Sequence, residues 1–343
     1  MELSHKQIES LKEMLAQPRL RIVILSHTNP DGDAVGSSLA WAEVLRARGH
    51  EVTCVVPNKY PYFLDWMPGI EEVVVFKTDT EGRAVKAIAE ADVLFCLDFN
   101  AVSRLEILSE TIQGNTTARR VLIDHHLQPD EGFDIVFSYP ESSSTCFLVY
   151  CLVEAMYGTG AITRRMGELL YVGMMTDTGN FAFSHLTPEL FRAVAVLLEK
   201  GISIPEIHNS VYNAYTEGRA RLFGYAINRK MALIEDGTVA YMSLLESEMR
   251  RFQFQQGDSE GFVNYALTIK KVKMSAMFLA HRKFIRISLR SRGDVDVNLF
   301  ARKYFNGGGH KNAAGGKSFL SMEETIDHYI RSVREFAEEG HLG

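Results

Sequence analysis

The chain has 343 residues, of which 46% are hydrophobic and 23% are charged, and its formal net charge is −6 at pH 7. These values are ordinary for a globular protein, and the length suggests two domains because a single core stops growing at roughly 250–300 residues. The acidic balance argues against duplex DNA as a partner, since proteins that bind long nucleic acids usually carry a strongly basic face.

The N-terminal segment is polar and helix-patterned, and we find no apolar run of about 18 residues in the sequence. These features predict neither a signal peptide nor a membrane span. None of the four cysteines forms a CxxC pair, and we interpret them as reduced thiols of a cytoplasmic protein. They are Cys54, Cys96, Cys146 and Cys151.

The first half of the chain alternates short apolar runs with helix-patterned segments. Strands are predicted at 21–27, 51–57, 73–76, 91–98 and 120–124, and helices at 34–48, 144–157, 165–176 and 188–200. Strands without polar alternation are typical of parallel sheets that are covered by helices on both faces. The pattern therefore predicts an α/β domain with a doubly wound, mainly parallel sheet.

The C-terminal part of the chain has a different pattern. Strands are predicted at 238–245, 272–280 and 284–290, followed by a helix at 299–305, a glycine-dense loop at 307–316 and a terminal amphipathic helix at 322–339. The segment 201–217 contains a proline and few apolar pairs, and we interpret it as a connector. The predicted domains are therefore residues 1–200 and 218–343, the second smaller than the first.

Four apolar runs of the first domain end in aspartate or histidine. Because ligands bind beyond the carboxyl ends of strands in an open α/β sheet, these side chains are expected to converge. A single aspartate at such a point is usually a turn residue or a helix cap. Several carboxylates and imidazoles at one sheet edge favour a bound cation instead. The candidates are His27, Asp31, Asp33, Asp98, Asp124, His125, His126 and Asp177.

The candidate ligands are carboxylates and imidazoles without a thiolate. Carboxylates suit Mg²⁺ and Mn²⁺, and imidazole favours transition ions, so we expect Mn²⁺, with Mg²⁺ or Co²⁺ as substitutes. The number of ligands indicates two ions, an arrangement that promotes in-line displacement at phosphorus.

Three motifs resemble those of one known family. The run from His27 to Ser37 resembles the first motif of the DHH phosphoesterases, and Asp124-His125-His126 resembles the motif that names them. Gly307-Gly308-Gly309-His310 is similar to the signature of the accompanying DHHA1 domain. The resemblance spans nearly the whole chain. It implies a DHH catalytic domain and a smaller α/β DHHA1 domain across a cleft.

The resemblance also implies roles for the candidate residues. His27, Asp31 and Asp98 are expected to bind the first Mn²⁺, and Asp98 to bridge it to the second. The other ligands of the second ion are expected to be Asp33, His125 and Asp177. Catalytic roles are expected for Asp98, for Asp124, which orients a ligand histidine, and for His126, which faces the substrate phosphate.

Substrate contacts are expected from the second domain. Glycine lets the backbone approach a ligand closely, so Gly308 and Gly309 are candidates together with His310. Arg290 is a candidate for pairing with a terminal phosphate, and Arg104 is a similar candidate in the first domain. A solvated surface arginine is the alternative interpretation of both arginines.

The two-domain length most resembles the nano-RNases and pAp phosphatases of the family. The expected function is Mn²⁺-dependent hydrolysis of short single-stranded RNA to mononucleotides and of pAp to AMP. Alternatives are a phosphodiesterase for pApA or cyclic dinucleotides, an exopolyphosphatase or pyrophosphatase, an exonuclease on long strands, and a nucleotide-binding sensor without catalysis. The sequence leaves the polarity of RNA degradation open, and it is compatible with a homodimer.

Overall fold

The computed structural model describes residues 3–182 and 185–342. These residues form two compact units, the first ending at Ala214 and the second beginning at Tyr215. The division falls within the segment 201–217, which was interpreted as a connector. Most of that segment is a helix, Ile204–Tyr212, because Pro205 starts it and Ile207 and Val211 bury one face.

The first unit is built on a six-stranded sheet in which every pair of neighbouring strands is parallel. The strand order is β3-β2-β1-β4-β5-β6, so the direction of winding reverses between β1 and β4. The strands are β1 (Arg21–Leu25), β2 (Glu51–Val56), β3 (Val74–Val75), β4 (Val93–Leu97), β5 (Arg119–Asp124) and β6 (Ile135–Ser138). The predicted doubly wound α/β architecture is confirmed.

Helices cover both faces of this sheet. The helices are α1 (His5–Leu15), α2 (Gly32–Arg46), α3 (Arg83–Glu90), α4 (Ser109–Gly114), α5 (Thr145–Tyr157), α6 (Arg164–Asp177), α7 (Pro188–Glu199) and α8 (Ile204–Tyr212). Helices α2, α5 and α6 pack against one another, while α3 and α4 contribute Ala84, Ile88 and Ile112 to a core with β1, β4 and β5. The sequence interpretation omitted α3, α4 and β6.

The second unit contains a mixed sheet of order β11-β12-β10-β9-β8-β7, which is antiparallel except for the β8–β9 pair. Its strands are β7 (Ala232–Ile234), β8 (Val239–Leu244), β9 (Met274–His281), β10 (Phe284–Ser291), β11 (Gly308–His310) and β12 (Ala313–Ser318). The helices are α9 (Glu217–Tyr225), α10 (Glu246–Arg251), α11 (Phe262–Tyr265), α12 (Val297–Tyr304) and α13 (Met322–Glu338). Helices α12 and α13 pack on one face, and α9 to α11 on the other.

The prediction of a loop at 307–316 was wrong, because this segment contains β11 and most of β12. The hairpin pairs with β10 through β12, so its strand geometry comes from backbone bonds and not from a side-chain pattern. Gly307 is required there, since a Cβ at this position would lie 1.9 Å from the Gly315 carbonyl oxygen.

None of the helices in the described part of the chain combines the length and hydropathy that a membrane span requires.

Candidate metal centre

The loops after β1, β4 and β5 meet at the carboxyl edge of the first unit's sheet, where the winding reverses between β1 and β4. This is the position at which α/β sheets bind ligands. Helices α2 and α6 supply further acidic residues from their N-terminal and C-terminal ends, respectively. The sequence candidates that come together here are His27, Asp31, Asp33, Asp98, Asp124, His125, His126 and Asp177.

Asp31 is the N-cap of α2. Its Oδ1 accepts hydrogen bonds from the backbone N–H groups of Asp33 (3.0 Å) and Ala34 (3.1 Å). The cap fixes the carboxylate, and ligand atoms of Asp31, His27 and Asp98 lie within 4.8 Å of one another. Helix capping and metal binding are therefore compatible at this residue, because a carboxylate offers two oxygens.

Asp33 is buried at the N-terminus of another helix, α5. Its two oxygens accept hydrogen bonds from the backbone N–H groups of Thr145 (2.6 Å) and Cys146 (2.8 Å). Gly173 of α6 makes room for this contact, because a Cβ there would lie 2.5 Å from Asp33 Oδ1. Burial, followed by the charges of Asp98 and Asp177, raises the pKa of Asp33 well above its usual value.

Asp98 occupies the centre of the cluster and has a left-handed backbone (φ +63°). Its Oδ2 lies 3.4 Å from His27 Nε2, and its Oδ1 lies 3.5 Å from His125 Nε2. Oδ1 also accepts a hydrogen bond from the Thr145 hydroxyl at 3.0 Å. Burial raises the pKa of Asp98, but hydrogen bonds with His125 and His27 outweigh it and lower this pKa well below its usual value.

His125 Nε2 points at three carboxylates. Its distances are 3.1 Å to Asp177 Oδ2, 3.5 Å to Asp98 Oδ1 and 3.8 Å to Asp33 Oδ2. The other ring nitrogen, Nδ1, lies 3.2 Å from the Ser142 carbonyl, which holds the ring in place. Burial raises the pKa of the Asp177 carboxyl to about 6, although its contact with His125 opposes the shift.

Asp124 pairs with His126, not with His125. The Nδ1 of His126 lies 2.7 Å from Asp124 Oδ1, whereas the ring contact of His125 is made by the Ser142 carbonyl. The sequence implied that Asp124 orients a ligand histidine, and the structure instead joins it to the histidine expected to face substrate. The second oxygen, Oδ2, is buried without a hydrogen-bond partner.

Two sets of donor atoms lie next to each other. Site 1 consists of His27, Asp31 and Asp98, and site 2 of Asp33, His125 and Asp177, with Asp98 Oδ1 at 3.5 Å from His125 Nε2. Asp98 also forms a group with Asp124 and His126. Buried carboxylates that face one another are unfavourable unless a cation or a proton separates them. Burial, together with neighbouring negative charges, raises the pKa of Asp33 and of Asp177 in this way. The residues therefore fit a pair of divalent cations.

Thiolate ligation does not contribute to either set. Cys146 is buried beside Asp33, and its thiol contacts the Asp33 carbonyl oxygen at 3.6 Å. Burial, with the negative charge of Asp33, raises the pKa of the Cys146 thiol well above its usual value. The two donor sets contain carboxylates and imidazoles, which suit hard or borderline ions.

The sequence interpretation did not assign the Thr145 hydroxyl or the Ser142 carbonyl to the site. Residues 142–145 precede α5, and Ser144 is the N-cap of this helix, accepting from the Phe147 N–H at 3.0 Å. The signal was present in the run of four small polar residues before an apolar helix. Their contacts with Asp98 and His125 depend on the tertiary fold.

The predicted substrate-binding residues lie in both units. His126 and Arg104 are in the first unit, where the Arg104 carbonyl accepts the Thr28 N–H at 2.9 Å. The other four are in the second unit. Arg290 and His310 are both directly opposite Ala313 on neighbouring strands, so they project from the same sheet face, and Gly308 and Gly309 precede His310 on β11.

Two family descriptions match the chain. The "DHH family, N-terminal domain" matches residues 21–174, and the "DHHA1 domain" matches residues 236–339. The first match contains every residue of sites 1 and 2 except Asp177, and the second contains the β11–β12 hairpin.

Similar proteins cover the chain over almost its full length. The crystal structure of an exopolyphosphatase-related protein from Bacteroides fragilis is 39% identical with a TM-score of 0.90, covering 97% of both chains. The bifunctional oligoribonuclease and PAP phosphatase NrnA of Thermus thermophilus is 28% identical over 335 residues, covering 96% of this chain and 94% of NrnA.

A third similarity concerns the fold alone. RecJ from Thermus thermophilus in complex with Mn²⁺ is 14% identical with a TM-score of 0.52, covering 97% of this chain and 54% of RecJ. The matched domains, their order and the near-complete coverage agree with the motifs and with the geometry of the centre. The chain belongs to the DHH family, with a DHHA1 domain as its second unit.

Proposed function

We propose that this protein is a metal-dependent phosphoesterase that hydrolyses short oligoribonucleotides to mononucleotides and pAp to AMP. The observation that carries the proposal is the pair of donor sets joined by Asp98 at the carboxyl edge of the sheet. The similarity to NrnA of Thermus thermophilus, which is named an oligoribonuclease and PAP phosphatase, supports this choice of substrates.

The ions fit the chemistry of the donors. His27, Asp31 and Asp98 would hold one ion, and Asp33, Asp98, His125 and Asp177 the other. Divalent ions in such a pair supply a nucleophilic hydroxide at neutral pH and neutralise charge on the phosphoryl oxygens. Because the set mixes imidazole with carboxylates, we favour Mn²⁺, with Mg²⁺ or Co²⁺ as substitutes.

His126 is the residue that we assign to proton transfer. Its Nδ1–H donates to Asp124 at 2.7 Å, which fixes the ring and directs Nε2 away from Asp124. His126 therefore serves as the group that contacts a phosphoryl oxygen or gives a proton to the leaving oxygen.

The remaining proposed contacts bind the substrate. The Arg104 carbonyl accepts the N–H of Thr28, the neighbour of His27, and we assign the Arg104 guanidinium to a phosphoryl oxygen in this region. In the second unit, we assign substrate binding to His310, Arg290, Gly308 and Gly309, which the register places together on β10 and β11.

A substrate panel tests the proposal. The purified chain is assayed with Mn²⁺ and with Mg²⁺ on pAp, pApA, RNA of defined short lengths, a long single strand and polyphosphate, with identification of products. We expect AMP from pAp, mononucleotides from short RNA, and little turnover of the long single strand or of polyphosphate. Preferred turnover of polyphosphate would contradict the proposal and support the activity suggested by the name of the Bacteroides fragilis protein. Binding without turnover would indicate a sensor.

Asp98→Asn provides the matching inactive variant. It removes the negative charge that the two sites share and replaces one carboxylate oxygen by an amide nitrogen, so we expect kcat/KM to fall by about 10³-fold or more, with the fold retained by circular dichroism. Near-normal activity in this variant would show that Asp98 does not bridge two ions.

A further inference from the structure

Asn58 lies beyond the carboxyl end of β2 and contacts the loop that follows β1. Its Oδ1 accepts a hydrogen bond from the backbone N–H of Asn29 at 2.7 Å. Its Nδ2 donates to Asn29 Oδ1 at 3.1 Å and to the Lys59 carbonyl oxygen at 3.2 Å. An N–H group needs an acceptor and a carbonyl needs a donor, so only one orientation of the Asn58 amide satisfies these partners. Asn58 and Asn29 therefore connect two neighbouring loops through two hydrogen bonds.

The bond to the Asn29 N–H fixes a peptide group that also contacts His27. The carbonyl of Thr28 and the N–H of Asn29 belong to the same planar peptide unit. That carbonyl oxygen lies 2.9 Å from His27 Nδ1, while the other ring nitrogen, Nε2, lies 3.4 Å from Asp98 Oδ2. A histidine that binds a metal commonly donates its second ring N–H to a backbone carbonyl, which sets the tautomer and the orientation of the ring. Asn58 therefore holds the peptide unit whose carbonyl orients His27.

The loop between β1 and α2 depends on contacts of this kind. Asn29 has a left-handed backbone (φ +58°), which is uncommon for a residue other than glycine and persists only where surrounding contacts hold it. On the other side of the loop, the Thr28 N–H donates to the Arg104 carbonyl oxygen in the segment after β4. Strands β2 and β4 are the two neighbours of β1, so the loop is held from both sides.

The ligands of site 2 are held by different contacts. Asp33 accepts from the backbone N–H groups of Thr145 and Cys146, and His125 Nδ1 lies 3.2 Å from the Ser142 carbonyl oxygen. These contacts come from α5 and the residues before it, whereas Asn58 follows β2. A change at Asn58 should therefore affect site 1 and leave site 2 intact.

We propose that Asn58 is a positioning residue of site 1, which orients His27 through the peptide group between Thr28 and Asn29. This inference rests on the proposed function, because it takes site 1 to be a binding site for Mn²⁺. Asn58 acts on the affinity for the ion through the His27 ring. Its effect should therefore disappear when that ring is removed.

Two backgrounds test this dependence by isothermal titration calorimetry with Mn²⁺. Asp177→Asn removes a ligand of site 2 and leaves site 1 as the tighter site. In this background, Asn58→Ala should lower the Mn²⁺ affinity by about tenfold or more, as the loss of an outer-shell contact typically does. His27→Gln leaves site 2 as the tighter site and lacks the ring, so Asn58→Ala should not change the affinity further. An equal fall in both backgrounds, or no fall in either, would overturn the proposal.

Two more variants separate positioning from a general effect on the loops. Asn213→Ala breaks another exposed asparagine pair, in which Asn213 Nδ2 donates to Asn209 Oδ1 at 2.7 Å, and it should leave Mn²⁺ binding unchanged. Asn29→Gly keeps the N–H that Asn58 accepts and tolerates a positive φ, so it should weaken site 1 much less than Asn58→Ala does. Equal losses in Asn29→Gly and Asn58→Ala would show that the peptide group is not what orients His27.

These titrations need no turnover, so their outcome is independent of the substrate panel. If the unaltered protein binds Mn²⁺ but hydrolyses neither pAp nor RNA, the proposed function is wrong, and a selective loss at site 1 in Asn58→Ala still supports the role of Asn58. If the unaltered protein binds no Mn²⁺, the role of Asn58 is overturned as well.

Discussion

The two oxygens of Asp98 face different ligand sets, which is the residue-scale basis of the proposed centre. Oδ2 faces His27 of site 1, and Oδ1 faces His125 of site 2. The left-handed backbone of Asp98 is an uncommon conformation for a residue other than glycine. Such conformations persist only where surrounding contacts hold them. The Thr145 hydroxyl, at 3.0 Å from Oδ1, is one of these contacts.

Replacing Thr145 tests whether this contact orients Asp98. Thr145→Val removes the donor while keeping nearly the same shape, so Oδ1 of Asp98 loses one of the contacts that orient it. We expect affinity for the second Mn²⁺ to fall about 10- to 100-fold, as outer-shell changes typically cause, and affinity for the first to fall less. Isothermal titration calorimetry with Mn²⁺ measures both sites without an assay of activity. Thr145→Ser should restore the second site.

Thr325→Val is a matched control for this variant. Thr325 is also fully buried, and its hydroxyl lies 2.8 Å from that of Ser318 in the second unit. It should lower the free energy of unfolding of that unit without changing Mn²⁺ binding. Unchanged titration curves for Thr145→Val would show that other contacts orient Asp98.

At the scale of elements, glycines let three helices pack closely enough to assemble site 2. Gly36 of α2 lies against α6, where a Cβ would be 2.5 Å from the Leu169 carbonyl oxygen and 3.0 Å from the sulfur of Cys146 in α5. Gly173 of α6 makes the equivalent approach to Cys146 and Asp33. The glycines that allow the helices to pack closely therefore also make room for Asp33, a proposed metal ligand.

Gly36→Ala should separate α2 from α6. The added methyl group meets backbone, which has little freedom to move, so we expect the free energy of unfolding to fall by about 1–3 kcal/mol. Urea denaturation measures this change. Gly114→Ala, at the end of α4, is the control because a Cβ there meets nothing within 4 Å, and it should be neutral or slightly stabilising. Equal stability of the two variants would contradict the packing argument.

At the scale of the whole molecule, each unit has hydrophobic cores of its own. The core of β1, β4 and β5 belongs to the first unit, and the two clusters on either face of the mixed sheet belong to the second. All residues of sites 1 and 2 are in the first unit. Metal binding is therefore expected to stabilise the two units unequally.

Adding Mn²⁺ and then removing it with a chelator should show that the two units are stabilised unequally. A ligand at 100 times its dissociation constant stabilises a native state by about 2.7 kcal/mol per site, so Mn²⁺ should slow hydrogen exchange in α2, α5 and α6. EDTA should reverse the effect, because the buried carboxylates then repel one another. Exchange in the second unit should change little. Hydrogen exchange with mass spectrometry measures the two units separately. An equal response of both units to Mn²⁺ would contradict the placement of the metal sites in the first unit.

Much of the centre was predictable because topology constrains it. Apolar runs that end in Asp or His identify strands whose carboxyl ends share one sheet edge, and this brings Asp98, Asp124 and His125 together without knowledge of any side-chain contact. The motifs around Asp31 and His310 identified the family from the sequence. Helices α2, α5 and α6 were predictable within a few residues, since their apolar pattern is local.

Other features depended on tertiary structure. The β11–β12 hairpin has glycine and alanine where a strand pattern needs apolar alternation, so only pairing with β10 shows that it is a strand. The pairing of Asp124 with His126 depends on rotamers, and the bond from Thr145 to Asp98 joins residues 47 positions apart.

The sequence by itself thus determined the order of the longer apolar elements and the types of candidate ligand, because hydrophobic periodicity and residue chemistry are local properties. Only the tertiary structure decided which oxygen of Asp98 faces which histidine, and that the side chains of Arg290 and His310 share a sheet face. These features depend on strand register and on distances between segments that are remote along the chain.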